Sequence, residues 1–500
     1  MTTNPVRGIL LQMKTIFNFT LAAWSFVLLA GVGAGCSGGG TAAPGADATS
    51  EVPAEGGVLA DAAPVDAPPS DSAAEVKPTI HALSPAGHDR LFSATFDAQG
   101  NLFAIGSIAA GTAAIDDHES IVVKLLPTGA LDKTFGKDGI AKLNLAVGTG
   151  GEVARGLVVQ STGKIVIAAT VEHVAPGSDP RDRDLAVARF NADGTVDTAF
   201  GVNGVVLLDL SDGELVGTTY VADTQWGLNL FSDDRLLVTG ALKATGRTDT
   251  DFAVVKLTAN GERDATFGTN GLATLDINRQ SASPKEATLL ADGSVVASGY
   301  NRDADGLVSP VLYKLTPAGQ LDTTFGVNGV FNEIVLPFQA EIYGVSQQGT
   351  RFVTAGYGKD NAQATVDWVS LRILANGKRD LTYGTNGIAR VDLAGQNDNA
   401  RSIATLPDNR VLLLGSGRST AANGDAMLVM LTADGSPDTT FAPLGRRVYD
   451  LGGPGDAFWG AALSPDKKRV AVVGVKGANT NADAGAVGND DGAVLILPLQ

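Results

Sequence analysis

Eleven residues, Gly194-Thr-Val-Asp-Thr-Ala-Phe-Gly-Val-Asn-Gly204, recur along this chain at near-constant spacing, which obliges it to stack like units side by side. Copies stand at Gly129–Gly139, Gly261–Gly271, Gly319–Gly329 and Gly377–Gly387, with a degraded copy at Gly435–Gly445. Their aspartates, Asp132, Asp197, Asp264, Asp322, Asp380 and Asp438, follow one another at 65, 67, 58, 58 and 58 residues.

Between copies lie short apolar runs separated by turn residues. In the segment after Gly204 these are Val205–Leu210, Trp226–Phe231, Arg235–Gly240 and Phe252–Leu257, with Ser232-Asp-Asp between the second and third. Runs of this length bounded by Gly, Asp and Asn read as strands, four to a unit. The third run is found seven times, at Leu102–Gly106, Lys164–Ala168, Arg235–Gly240, Ser294–Gly299, Arg351–Gly356, Arg410–Gly415 and Arg469–Gly474. A fourth run follows each, ending with Ala493–Leu497, and Thr79–Leu83 can supply the first run of the first unit. The expected fold is all-β, a seven-bladed β-propeller with four antiparallel strands per blade over residues 78–500. Its blades are expected at about 78–139, 140–204, 205–271, 272–329, 330–387, 388–445 and 446–500. The 62 glycines and a hydrophobic fraction of 44% suit a turn-rich sheet protein with a sizeable core.

The fourth run together with Asn191-Ala-Asp-Gly-Thr-Val-Asp-Thr-Ala-Phe-Gly-Val-Asn-Gly204 resembles the delta-60 repeat of bacterial envelope proteins. That resemblance spans residues 78–500 and implies a propeller fold, while saying little about activity. Two departures are visible: Ala442-Pro-Leu interrupts the sixth copy, and the seventh unit ends before any copy. Terminal units of repeat arrays commonly differ in this way.

Each motif residue has a physical task. Asp-Gly and Asn-Gly pairs accept the positive φ of tight turns. The motif aspartates are spaced to accept backbone N–H groups two or three residues on, as Asx-type caps. Phe135, Phe200, Phe267, Phe325, Tyr383 and Phe441 are expected to fill the wedge between adjacent blades. Lys124, Arg189, Lys256, Lys314 and Arg372 each precede the motif aspartate by eight residues, which predicts an ion pair; Met430 takes that place in the sixth copy.

The N-terminus reads as an export signal over residues 1–35. Arg7 and Lys14 precede an apolar stretch from Ile16 to Ala30, and small residues lead to Cys36, the only cysteine. Ala34-Gly35-Cys36 resembles a bacterial lipobox, with Gly33 where a branched apolar residue is usual, and implies lipidation of Cys36 and anchoring to a membrane of the cell envelope. Without lipidation the chain would be secreted. Residues 37–77, rich in Ala, Pro, Gly and Asp, form a disordered linker, about 35 Å end to end by square-root scaling. The formal charge of −17, or −19 after removal of the signal, excludes nucleic acid as a natural partner.

Catalytic signatures are missing from the sequence. His81, His88, His118 and His173 share no metal-binding spacing, and neither a nucleophile elbow nor a phosphate loop is present. No cofactor is expected; the nearest hint is calcium at Asn301-Arg-Asp303-Ala-Asp305-Gly306, where position twelve is Leu312 and not Glu. Long polar loops between third and fourth runs, at 107–120, 170–184, 241–251, 300–310, 357–367, 416–425 and 475–492, are expected to share one face. The function expected is that of a monomeric, non-enzymatic envelope lipoprotein whose propeller binds a protein or glycan. The alternative is a propeller enzyme acting on extracellular glycans or other polymers, with acids converging at the central channel.

Overall fold

The computed structural model describes residues 76–85, 87–109, 118–146, 152–172, 182–216, 219–418, 424–477 and 490–499. Cys36, the export signal, most of the linker, His173 and much of the loop face lie outside them.

The regular structure of the described residues is all strand apart from one short 3₁₀ turn at Pro443–Gly445. Every unit is an antiparallel meander. In the second, Val153–Val159 pairs with Ile165–Glu172, that strand with Arg183–Phe190, and the last with Val205–Leu208. Among the described residues the strands make five four-stranded sheets, a two-stranded ribbon and one eight-stranded sheet. The eight-stranded sheet is two successive meanders, Ser281–Asn332 and Gln339–Val391, joined by a single parallel pairing of Val308 with Gln339.

Apolar residues fall on both faces of each sheet. Along Ile165–Glu172, Ile165, Ile167, Ala169 and Val171 pack toward the sheet before, while Val166 and Ala168 pack toward the sheet after. Each hydrophobic cluster is thus shared by two successive sheets. This explains unbroken runs such as Ile165-Val-Ile-Ala-Ala169, where alternation would suit a sheet with one wet face. The series returns on itself: Ala471, Val473 and Val494 of the last meander share a cluster with Leu91, Ala94 and Leu102 of the first.

The unit boundaries expected from the repeat are displaced by one strand. Each run taken to open a unit instead pairs as the outer strand of the preceding sheet, so the motif is the hairpin between third and outer strands of one sheet. The repeat period sets the length of a unit but leaves its phase open. Thr79–His81 accordingly does not open the first sheet. It pairs antiparallel with the last strand, Asp491–Pro498, as Thr79↔Val494, Ile80↔Ala493 and His81↔Gly492. His81 Nε2 also lies 2.8 Å from the carbonyl oxygen of Gly129, in the motif turn of the first sheet.

The motif residues join neighbours. Phe135, Phe200, Phe267, Phe325 and Tyr383 are buried between successive sheets, and Phe441, in the degraded copy, is half-buried. Beside these rings the next repeat brings its turn: Gly136 N–H donates to Asp193 O at 2.8 Å, Gly326 N–H to Asn376 O at 2.8 Å and Gly384 N–H to Asp434 O at 2.7 Å. A Cβ on Gly194 would press on Gly136 and the Phe135 ring, which is why the turn carries glycine. The aspartates cap as expected, Asp132 accepting the Thr134 N–H at 3.1 Å and its hydroxyl at 2.6 Å. Their basic partners stand at 3.1 Å (Lys124–Asp132), 2.7 Å (Arg189–Asp197), 3.8 Å (Lys256–Asp264), 2.8 Å (Lys314–Asp322) and 2.8 Å (Arg372–Asp380). Where Met430 replaces the base, Arg410 of the neighbouring strand reaches Asp438 at 3.1 Å.

Two stability measurements follow. Phe267→Ala is expected to cost roughly 3–5 kcal/mol in denaturant unfolding and Phe441→Ala clearly less, because only the first ring is fully buried. A chain beginning at residue 83, lacking Thr79–His81, should melt roughly 5 °C or more below one beginning at residue 76.

Candidate functional site

The first strand of each sheet lies beside the first strand of the next, and Ala457–Leu463 lies beside Arg90–Phe96. All seven of these inner strands, from Arg90–Phe96 to Ala457–Leu463, carry a register shift at the same place. The residues at the shift are Phe92, Arg155, Trp226, Lys285 with Glu286, Tyr343, Arg401 and Trp459. A bulge of this kind leaves a residue unpaired and re-aims its side chain. The opposing strand makes room: a Cβ on Gly106, Gly240, Gly299, Gly356, Gly415 or Gly474 would strike the carbonyl oxygen two residues before the bulge. In the second sheet the facing residue is Ala169.

Aromatic and cationic residues alternate along this series, and each touches the next. The Arg155 guanidinium lies 5.8 Å from the Phe92 ring centre and 4.5 Å from that of Trp226. Lys285 Nζ is 3.2 Å from the Trp226 ring centre and 4.7 Å from Tyr343. Arg401 is 4.9 Å from Tyr343 and 4.8 Å from Trp459. Trp459 then meets Phe92 edge-on at 5.6 Å, and the series is back at its start. Cation–π contacts contribute about 0.5–2 kcal/mol each, more when desolvated, which offsets part of the cost of burying three cations.

Tyr300, Tyr357 and Glu341 stand around Lys285, Tyr343 and Arg401. Tyr343 and Tyr357 stack at 5.2 Å with their hydroxyls 2.9 Å apart. Glu341 Oε1 accepts from Gln339 Nε2 at 2.7 Å, while Oε2 has no partner among the described residues. Burial drives the Lys285 ammonium well below its ordinary pKa; Glu341 opposes the shift, and Arg155 and Arg401 add to it. Burial lifts Glu286 to about 7. Lys285 Nζ donates to Ser283 Oγ at 3.1 Å, the one hydroxyl–amine pair in this cluster.

A second set of inner residues is structural. Asp89, Glu152, Asp223, Asp398 and Asp456 each precede the bulge residue by three positions and are buried. They accept backbone N–H groups from the link between one sheet's outer strand and the next sheet's inner strand. Asp223 takes Leu210 N–H at 2.8 Å, Asp398 takes Leu393 N–H at 2.7 Å, and Asp456 takes Leu451 N–H at 2.7 Å. Burial raises Asp89 and Asp456 to about 6 and Asp223 and Asp398 to about 7.

Oxygen ligands suited to a hard cation gather at two equivalent joints, Asp184 with Asp209 and Asp223, and Asp425 with Asp450 and Asp456. The joint before the second of these holds an arginine instead, Arg390 at 2.7 Å from Asp360 and 2.6 Å from Asp367. The loop singled out for calcium does not assemble a ligand set. Asn301 is buried and bonded to Gln280 and Asn332, and Asp303 Oδ1 caps the hairpin by accepting Asp305 N–H at 3.0 Å and Leu307 N–H at 2.9 Å. The rings of His88 and His118 lie 6.1 Å apart. On the inner strands two acids, Glu286 and Glu341, stand with the aromatic and basic groups of the bulge series.

Four segments, residues 160–200, 232–267, 290–325 and 406–441, match the model described as "Domain of unknown function (DUF5122) beta-propeller", and each match ends on the motif aromatic. The chain is therefore built from β-propeller repeats. No curated protein matches it. Solved structures similar to it include a protein of unknown function from Dyadobacter fermentans, at 15% identity over 69% of this chain and 95% of that one, with a TM-score of 0.39. The WD40 repeats of RRP9 align at 11% identity over 84% and 98% of the two chains, TM-score 0.44. A polysaccharide lyase, an ulvan lyase, aligns at 8% identity over 83% and 93%, TM-score 0.45.

The buried acids set a pH dependence. Carboxyls raised to about 6–7 hold protons that the unfolded chain has already lost, so their contribution is present near pH 4 and is lost as pH rises through 6–7. Asp132 and Asp322, lowered to about 2 by Thr and Lys partners, act oppositely, contributing above about 4 and failing as pH drops toward 2. Thermal unfolding followed by circular dichroism should give a Tm at pH 5 above those at pH 3 and pH 8; a Tm still rising from pH 5 to 8 contradicts the assignment.

Proposed function

We propose that this protein is a non-enzymatic binding scaffold of the bacterial-type cell envelope, a seven-bladed propeller of the delta-60 kind. Residues 1–35 direct export, a lipidated Cys36 anchors the chain to a membrane, and residues 37–77 hold the propeller clear of the surface. The seven-blade count takes each half of the eight-stranded sheet as a blade and is supported by the unbroken circuit of inner-strand contacts. The observation that carries the binding reading is the axial series itself. Guanidinium, indole and phenol groups brought together in this way are suited to holding a ligand.

The enzyme alternative rests on Ser283 and Lys285, since an amine of lowered pKa beside a hydroxyl is a known way to activate a serine. Against it, Lys285 Nζ is committed to the Trp226 face. The body from residue 76 to 500 should capture a partner from envelope extract and show no turnover of polysaccharide or ester panels. Turnover abolished by Ser283→Ala would replace the binding reading with the enzyme one. Mass spectrometry of the mature N-terminus should find acylated Cys36; an unmodified thiol removes the anchor.

A further inference from the structure

We propose that the axial series is an oxyanion site, receiving a carboxylate or sulfate group of a ligand on Arg155, Arg401 and the Trp459 indole. This rests on the binding reading and narrows it to a ligand chemistry. Arg155 is half-buried on its bulge, and its guanidinium has no hydrogen bond or ion pair among the described residues. Its Nε is sealed from solvent without a partner, and so is Trp459 Nε1. A guanidinium offers five N–H donors, and leaving buried donors unmade is costly. Two such donors on neighbouring parts of one circuit indicate a missing acceptor.

The charge balance points the same way. Arg155, Lys285 and Arg401 face one another, and burial followed by the Arg401 charge lowers Arg155 to about 10. The groups facing them from the surrounding strands are Glu341, Tyr300, Tyr343 and Tyr357, with Glu286 on the Lys285 strand; only Glu341 acts on Lys285 as a charge of opposite sign. Excess positive charge is thus enclosed within a chain whose net charge is −17. An anion at this point would be drawn by the enclosed cations and not by the acidic exterior.

The contacts argue against a neutral sugar or an aromatic group stacked on Trp226 or Tyr343 as the primary determinant. Trp226 lies between Arg155 and Lys285, and Tyr343 between Lys285 and Arg401, so both rings already carry cations. The unpartnered atoms of the circuit itself are the N–H donors Arg155 Nε and Trp459 Nε1, with one acceptor, Glu341 Oε2, beside Lys285; the donors suit oxygen acceptors bearing charge, guanidinium–carboxylate pairing being among the stronger polar contacts.

The test is titration of the full chain, followed by tryptophan fluorescence and calorimetry, with sodium glucuronate, sodium sulfate, and glucose as neutral control, at constant ionic strength. Trp226 and Trp459 report directly from the circuit. Glucuronate, sulfate or both should give a saturable change and glucose none; a response to one alone names the group. Arg155→Gln is expected to weaken binding about tenfold or more, as loss of a charge-assisted bond does, with Arg155→Lys recovering part of it. Trp459→Phe removes only the indole donor and decides the matter if Arg155→Gln fails to fold. No saturable response to either anion, or a response that survives both Arg155→Gln and Trp459→Phe, overturns the proposal. A captured partner with no anion response would leave the binding reading standing and remove the oxyanion site alone.

Discussion

Everything at the axis depends on the first sheet meeting the last. Sheets that are apolar on both faces stay soluble only if each face is covered, so an open array of these units would end in two bare faces. Here the faces cover one another, through the cluster that joins Leu91 and Leu102 to Ala471 and Val473. The pairing of Thr79–His81 with Asp491–Pro498 adds a strand from one chain end to a sheet from the other. It completes that sheet to four strands and puts three short residues in place of the motif hairpin that supplies the outer strand elsewhere. Closure of this sort is how repeat sheets dispose of unpaired edges.

Given closure, the bulged inner strands bring seven side chains into a circuit that begins and ends at the Phe92–Trp459 contact. Placing three cations here is expensive in desolvation, and neighbouring ring faces return only part of it. A core chosen for stability alone would use Leu or Val at these positions. Cations are buried beside the motif rings as well, at Arg189, Lys256 and Arg372, but each of those faces an aspartate; that the axial cations face mainly rings is the physical ground for proposing function there. In five of the seven sheets an acid three residues upstream, Asp89, Glu152, Asp223, Asp398 or Asp456, braces the arrangement by holding the incoming link through its backbone N–H groups.

Much of this was legible in the chain and some was not. The motif aromatics, the caps and the ion pairs at eight-residue spacing could be read because each copy repeats the same residue types in the same local geometry. Phase could not be read, because a repeat of four strands looks the same whichever strand is counted first; the pairing of each outer strand with the sheet before it, and of Thr79–His81 with the last sheet, settles it. The axial residues escaped because no one residue type holds the place: Phe92, Arg155, Trp226, Lys285, Tyr343, Arg401 and Trp459 alternate between aromatic and cationic, which a comparison of repeats for like residues does not align. Their one constant signal sits on the facing strand, in the glycine that closes the third run in six of the seven units. That glycine looked like the end of a strand, whereas it is the clearance a bulge requires. The strands also run on into segments expected to be loops, Leu236–Lys243 and Thr250–Leu257 leaving only six residues between them.

Closure is the claim from which the wedges, the circuit and the proposed ligand site all descend, and it can be trapped covalently. With Cys36 replaced by serine, the pair Ile80→Cys and Ala493→Cys places two thiols at directly opposed positions of the closing strands. Mild oxidation of the monomer should link them intramolecularly and raise the Tm, as a bridge closing so long a loop does. Thiols that stay free in the folded monomer, or that react only between molecules, would show that the ends do not meet and that the ring does not close in this way.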